Sequence, residues 1–198
     1  MLRITVMEQT PVIEVYMEDT PNPQSRKFLT NRHILPNFQL DFRSPEMAGG
    51  SALAQAMFAL PFVSGVFISN NFVTITKAPD ADWLEISPLI RQTLQQFLQS
   101  GQKPVDDALL PRDLTTQPSG ADDAETKIRE LLEKYVKPAI QMDGGHIEFR
   151  SFRDGVVTLA LQGSCSGCPS SKITLKSGIE GLLKRMVPEV REVVAEEE

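Results

Sequence analysis

Two cysteines, Cys165 and Cys168, are the only thiols in this 198-residue chain, and they lie together in GSCSGCPSS, residues 163–171. A Cys-x-x-Cys loop does one of two kinds of chemistry. It cycles between dithiol and disulfide, or it holds a soft metal. Tetrahedral zinc and the common iron–sulfur clusters ask for about four protein ligands, most often thiolates. One chain offers two. The histidines do not make up the difference, because His33 and His146 are single and scattered, and both read as solvated or hydrogen-bonded side chains rather than ligands. Symmetry supplies the economical answer. Two chains, each presenting one cysteine pair across a two-fold axis, place four thiolates around one shared centre. A centre held by one loop from each partner is exposed and easily surrendered, as in a carrier.

The elements around the loop follow from its neighbours. The β-rich run VVTLAL leads straight into it, and Pro169 follows Cys168 directly. Proline favours the first helical position, so Cys168 falls near an N-cap and Cys165 in the preceding turn, with Gly163 and Gly167 freeing the backbone. A helix N-terminus stabilises a thiolate and lowers its pKa, and Lys172 and Lys176 fall within the next two turns. Residues 126–190 carry 10 basic and 7 acidic side chains, whereas residues 105–125 carry one basic and six acidic, and residues 191–198 end at net −3. A basic module suits an anionic tetrathiolate centre. A redox Cys-x-x-Cys also sits between a strand and a helix, but there the helix begins at the first cysteine and the surroundings are βαβ. Metal binding is therefore the favoured reading. A thiol–disulfide oxidoreductase using the same two cysteines stays open as the alternative, and a structural zinc dimer as a third. Two merely buried cysteines are the weakest reading, since a Gly/Ser-rich loop gives little apolar cover.

The whole chain is 41% hydrophobic and 23% charged, which is globular. No run approaches the roughly 18 apolar residues of a spanning helix, so no membrane partner is expected. A net charge of −6 speaks against nucleic acid as a partner. The N-terminus lacks a secretory pattern, and Glu8 and Glu14 argue against a basic transit peptide. Two cysteines this close imply a reducing compartment, so a cytoplasmic protein is expected.

A stretch with prolines, a glycine and several acids at 102–125 reads as a linker between domains at 10–101 and 126–195, giving an α+β chain of two small mixed domains. In the first, residues 12–18 and 38–42 alternate as strands, and Ser51 caps a short helix. Asn70-Asn71 turns a hairpin, and Ser87-Pro88 opens a helix closed by Gly101. The second reads α-β-β-α-β. Its first helix carries Ile128, Leu131, Leu132, Tyr135 and Val136 on one face and stops or bends near Pro138. Asp143-Gly144-Gly145 is a turn, Asp154-Gly155 a hairpin, and Leu175, Ile179, Leu182, Leu183 and Met186 line the second helix. No nucleophile–base pair, phosphate-binding glycine loop or dinucleotide fingerprint is present, so no enzymatic turnover is expected.

These segments together resemble a known family. Residues 127–190, with KPAIQMDGGHIEF, DGVVTLALQGSCSGCPSS and TLKSGIEGLLKRMVPEV, are similar to the NifU-like C-terminal domain of the Nfu family of iron–sulfur proteins. MEDTPNPQSRKFL at 17–29 and ALPFVSGVFISNNFVTIT at 59–76 resemble that family's N-terminal domain. The resemblance implies a [4Fe–4S] cluster, or a [2Fe–2S] cluster on the same four thiolates, bridging a homodimer. It would be received from upstream assembly proteins and passed to apo iron–sulfur clients. It also implies that Cys165 and Cys168 are the ligands and that the N-terminal domain serves partner recognition or delivery. His146 departs from the acidic or small polar residue expected after the DGG turn, where it would tune charge below neutral pH. The TPNP prolines around Asn22 make a rigid turn that shapes a contact surface.

Overall fold

The computed structural model describes residues 12–110, 123–165 and 169–196. Strands β1 (Val15–Asp19), β2 (Ser25–Thr30) and β3 (Leu35–Phe42) are followed by helix α1 (Ala52–Phe58), the hairpin β4 (Val63–Asn70) and β5 (Phe72–Lys77), and helix α2 (Trp83–Gln99). The five strands form one antiparallel sheet in the order β1-β2-β5-β4-β3, with Phe28 opposite Val73 and Val66 opposite Ile75. These four side chains face α1 and α2 and centre the N-terminal core with Leu53, Met57, Ile90 and Leu94. Local signals set the ends of these elements. The Ser51 hydroxyl accepts the Ala54 N–H at 3.1 Å as an N-cap, and Asn70 turns the hairpin at φ +37°.

Two expectations fail here. The helix read as opening at Ser87-Pro88 begins a turn earlier, at Trp83, with Asp82 as its N-cap accepting the Leu84 N–H at 2.8 Å. Pro88 lies inside it. Trp83, Ile86 and Ile90 recur on one face and are all buried, so tertiary packing outweighs the single backbone hydrogen bond that the proline removes. Residues 102–110, read as part of the linker, pack on the N-terminal core instead. Val105 is buried, the Leu53 N–H donates to the Pro104 carbonyl at 3.1 Å, and Leu109 lies against the same cluster.

In the C-terminal half, α3 (Asp123–Leu131) starts three residues before the expected boundary. It passes through one π-helical turn, Leu132–Val136, into α4 (Lys137–Met142). The helix does not stop at Pro138. The Lys137 N–H reaches back five residues to the Leu132 carbonyl, and this widened turn admits the proline ring without breaking the rod. Strands β6 (Gly145–Arg153) and β7 (Val156–Gly163) pair as an antiparallel hairpin through Asp154 (φ +51°) and Gly155 (φ +80°). Helix α5 (Pro169–Met186) then crosses over to β8 (Glu192–Glu196), which runs parallel to β7. The order α-β-β-α-β and the α+β class stand as expected. Tyr135, read as core, is 53% exposed, because the π turn shifts the helix register between Leu132 and Val136.

The N-terminal sheet has a second face. Lys27, Phe67, Phe72 and Thr74 alternate away from α1 and α2 yet are buried, and what covers them is the C-terminal half around Gly144 and Gly163.

Candidate metal centre at the Cys165 turn

Strand β7 ends at Gly163 (φ +67°), and the chain turns through Ser164 into Cys165. The turn is tied to the DGG turn before β6. The Ser164 N–H donates to the Gly144 carbonyl at 3.3 Å, and the Ser164 hydroxyl donates to the Asp143 carbonyl. Both DGG glycines are required by what surrounds them. Gly144 adopts φ +77°, and a Cβ there would lie 2.9 Å from the Thr74 hydroxyl. A Cβ at Gly145 would lie 2.6 Å from the Cys165 Sγ and 2.9 Å from the Gln162 carbonyl oxygen. The thiol thus sits in the space that Gly145 leaves empty.

Burial reverses one expectation. Cys165 is only 8% exposed, and its thiol is pushed up to about 11, chiefly by burial. The hydrogen-bond contact with Ser164 opposes the rise and the Asp143 carboxylate adds to it. The lowered thiolate pKa expected from the helix N-terminus is not realised at Cys165, because the sulfur lies in the turn, against the DGG backbone. Helix α5 does begin at Pro169, as expected; Cys168 and its expected capping geometry lie outside the described residues. Lys176 pairs with Glu192 at 3.4 Å, toward β8.

An open, mostly apolar groove of about 500 Å³ runs from the cysteine turn between α4 and α5, lined by Pro21, Tyr135, Ala139, Cys165, Leu175 and Leu182 among others. The histidines stand apart. His33 hydrogen-bonds Asn70 at 2.8 Å on the surface. His146 is buried at 4% exposure, with no hydrogen-bond partner for Nδ1 among the described residues. Its pKa falls to about 4, mainly through burial, with Lys137 pushing the same way and Glu133 opposing. It therefore stays neutral well below pH 7 and does not tune the local charge there. Among the described residues no three His, Cys, Asp or Glu side chains gather into a metal cage, so the described part of one chain brings a single soft donor to this turn.

The N-terminal half completes the surroundings, which sequence reading missed. The Asn22 side-chain amide donates to the Ser164 carbonyl at 3.2 Å, and the Thr74 hydroxyl donates to the Gly144 carbonyl at 2.7 Å. Lys27 donates to the Met142 carbonyl at 3.2 Å, and Arg43 to the Leu161 carbonyl at 3.2 Å. The Asp41 carboxylate accepts the Gly163 N–H, although burial still raises its pKa overall. The TPNP motif was the one available signal. Its rigid turn reads as a contact surface, but nothing local says that the surface it contacts is the cysteine turn of the same chain.

Known proteins share this plan. A model of the NifU-like domain matches residues 128–194, and a model of the scaffold protein Nfu/NifU N-terminal domain matches residues 15–101. The human protein named NFU1 iron-sulfur cluster scaffold homolog, mitochondrial, is 39% identical over 186 residues, covering 90% of this chain and 70% of that one. NifU-like protein 5, mitochondrial, of Arabidopsis thaliana is 39% identical over 201 residues, covering 96% and 70%. A solved NifU-like protein from Saccharomyces cerevisiae aligns at a TM-score of 0.46 and 25% identity, over 51% of this chain and 91% of that chain. The cytoplasmic location expected from the sequence is overturned by these relatives, which are named as mitochondrial proteins. With both halves matched in chain order and 39% identity maintained over nine-tenths of its length, this chain belongs to the Nfu family of iron–sulfur cluster scaffold proteins.

Proposed function

We propose that this protein is an iron–sulfur cluster scaffold and carrier, without turnover of its own, in which Cys165 and Cys168 of each of two chains hold one shared cluster. The cargo is a [4Fe–4S] cluster in the first place, and a [2Fe–2S] cluster can use the same four thiolates. It arrives from upstream assembly proteins and leaves for apo iron–sulfur proteins. The observation that carries this reading is the thiol arithmetic. The chain has two cysteines, both in one loop, and the described residues hold no cluster of three or more potential ligands. A second chain is the simplest source of the missing pair.

The residues on hand fit such a guest. Cys165 is a soft donor at the mouth of an open groove. Its thiol is protonated in the free protein, so cluster loading must release that proton. Affinity then rises with pH and loading weakens in acid.

Anaerobic reconstitution with iron and sulfide tests the proposal. The expected product is a brown dimer with about four irons per pair of chains, and Cys165→Ser or Cys168→Ser should remain folded but colourless. Insulin-reductase activity without iron binding would contradict it, as would folding that depends on bound zinc.

A further inference from the structure

The N-terminal half grips the backbone on both sides of the cysteine turn. Side chains from three of its strands and from the TPNP turn reach the carbonyls of Met142, Gly144, Leu161 and Ser164 and the N–H of Gly163. The Phe67 ring closes the back of the turn, 2.9 Å from where a Cβ of Gly163 would stand. Of these contacts, that of Asn22 falls closest to Cys165 along the chain, on the carbonyl of the residue that precedes it.

Asn22 is itself held firmly. Pro21 and Pro23 flank it, its Oδ1 accepts the Gln24 N–H at 3.0 Å, and the Ser25 N–H donates to its carbonyl at 2.9 Å. The Trp83 indole N–H anchors the Pro23 carbonyl at 3.0 Å. The side chain is 3% exposed. One amide oxygen therefore builds the turn, while the amide nitrogen reaches across to the other half of the molecule. A side chain that served only its own turn would need the acceptor alone.

We propose that Asn22 is a positioning residue for the Cys165 turn: through its amide N–H on the Ser164 carbonyl, the N-terminal half fixes the backbone of Gly163 to Cys165 and keeps the sulfur covered until cargo is delivered. The inference rests on the reading of Cys165 as a cluster ligand. The two fail separately, because the first measurement below needs no metal. The N-terminal half acts within the chain, as the second wall of the site, and the TPNP turn is engaged by the Ser164 carbonyl of the same chain.

The test uses the full chain in a Cys168→Ser background, which leaves Cys165 as its single thiol. Asn22→Asp keeps the oxygen that builds the turn and removes the donor to Ser164. Metal-free N-ethylmaleimide alkylation of Cys165 should then run about tenfold faster, as expected when one buried hydrogen bond that resists local opening is lost. Trp83 emission should stay unchanged, showing that the turn is intact. Asn22→Ser, whose hydroxyl can still accept the Gln24 N–H but is too short to reach the Ser164 carbonyl, is the second variant and decides the matter should Asn22→Asp fail to fold. With both cysteines present, Asn22→Asp should alter the visible circular dichroism of the reconstituted cluster and speed iron loss to a chelator. An alkylation rate within threefold of the parent in the folded variants would overturn the proposal, even if the wild-type chain loads iron normally. A faster rate would support it even if that chain took up no iron.

Discussion

The two halves of this molecule are built from similar parts and solve different problems. The N-terminal half closes its core by itself, with two helices over a five-stranded sheet and cap and turn residues that act within a few positions of one another. The C-terminal half has a three-stranded sheet, a helix that needs a π turn to pass Pro138, and a cysteine turn stitched to a glycine pair some twenty residues upstream. Its carbonyls at Met142, Gly144 and Ser164 accept donors from the other half. The N-terminal half builds its helix-covered core alone, although the C-terminal half covers the other face of its sheet, and the C-terminal half leaves its cysteine turn to be completed from across the molecule.

That contrast can be broken most decisively at the sulfurs. Cys165→Ser and Cys168→Ser should each abolish cluster binding, read as loss of visible absorbance and bound iron, while far-UV circular dichroism stays native. Loss of fold in either variant would make the thiols structural, and the two halves would no longer differ in kind. The next largest effect belongs to the space beneath the thiol. Gly145→Ala drives a methyl into the Cys165 Sγ and the Gln162 carbonyl, and a cost of about 3 kcal/mol is expected from overpacking against backbone. Chemical denaturation should show that loss in the C-terminal half while Trp83 emission in the N-terminal half holds.

Acid should separate the halves as well. His146 has its folded pKa depressed to about 4 from an ordinary value near 6.5. The unfolded chain therefore takes up a proton below about pH 6.5 that the folded chain refuses until about pH 4. The stability this group contributes is fully present above 6.5 and declines as pH falls through that window, by on the order of 3 kcal/mol. His146→Leu should flatten this part of the stability–pH curve, as measured by urea denaturation at pH 7 and pH 5. The smallest effect is expected where the N-terminal half is most conventional. Ser51→Ala removes one N-cap and its link to the Pro104 carbonyl, at a cost of about 1 kcal/mol, without altering cluster loading.

Legibility followed range along the chain. Ser51, Asn70, Asp154-Gly155 and Pro169 could be read because each acts on its immediate neighbours. Helix α2 was misread at Ser87-Pro88, since a local proline signal competed with the buried face that Trp83 and Ile86 make only against the folded sheet. The state of Cys165 was misread for the same reason. Its loop is poor in apolar residues, but its cover comes from the absent side chain of Gly145 and from packing across the molecule. The bond from Asn22 to Ser164 spans 142 residues, and no local pattern announces a contact at that distance.

The central claim is that each chain carries half of a cluster site. Native mass spectrometry of the reconstituted protein, kept free of oxygen, tests it most directly. Half-sites on each chain would give a loaded species of two chains and one cluster, with metal-free chains separate from it. A loaded species of one chain with its cluster fully coordinated would contradict it.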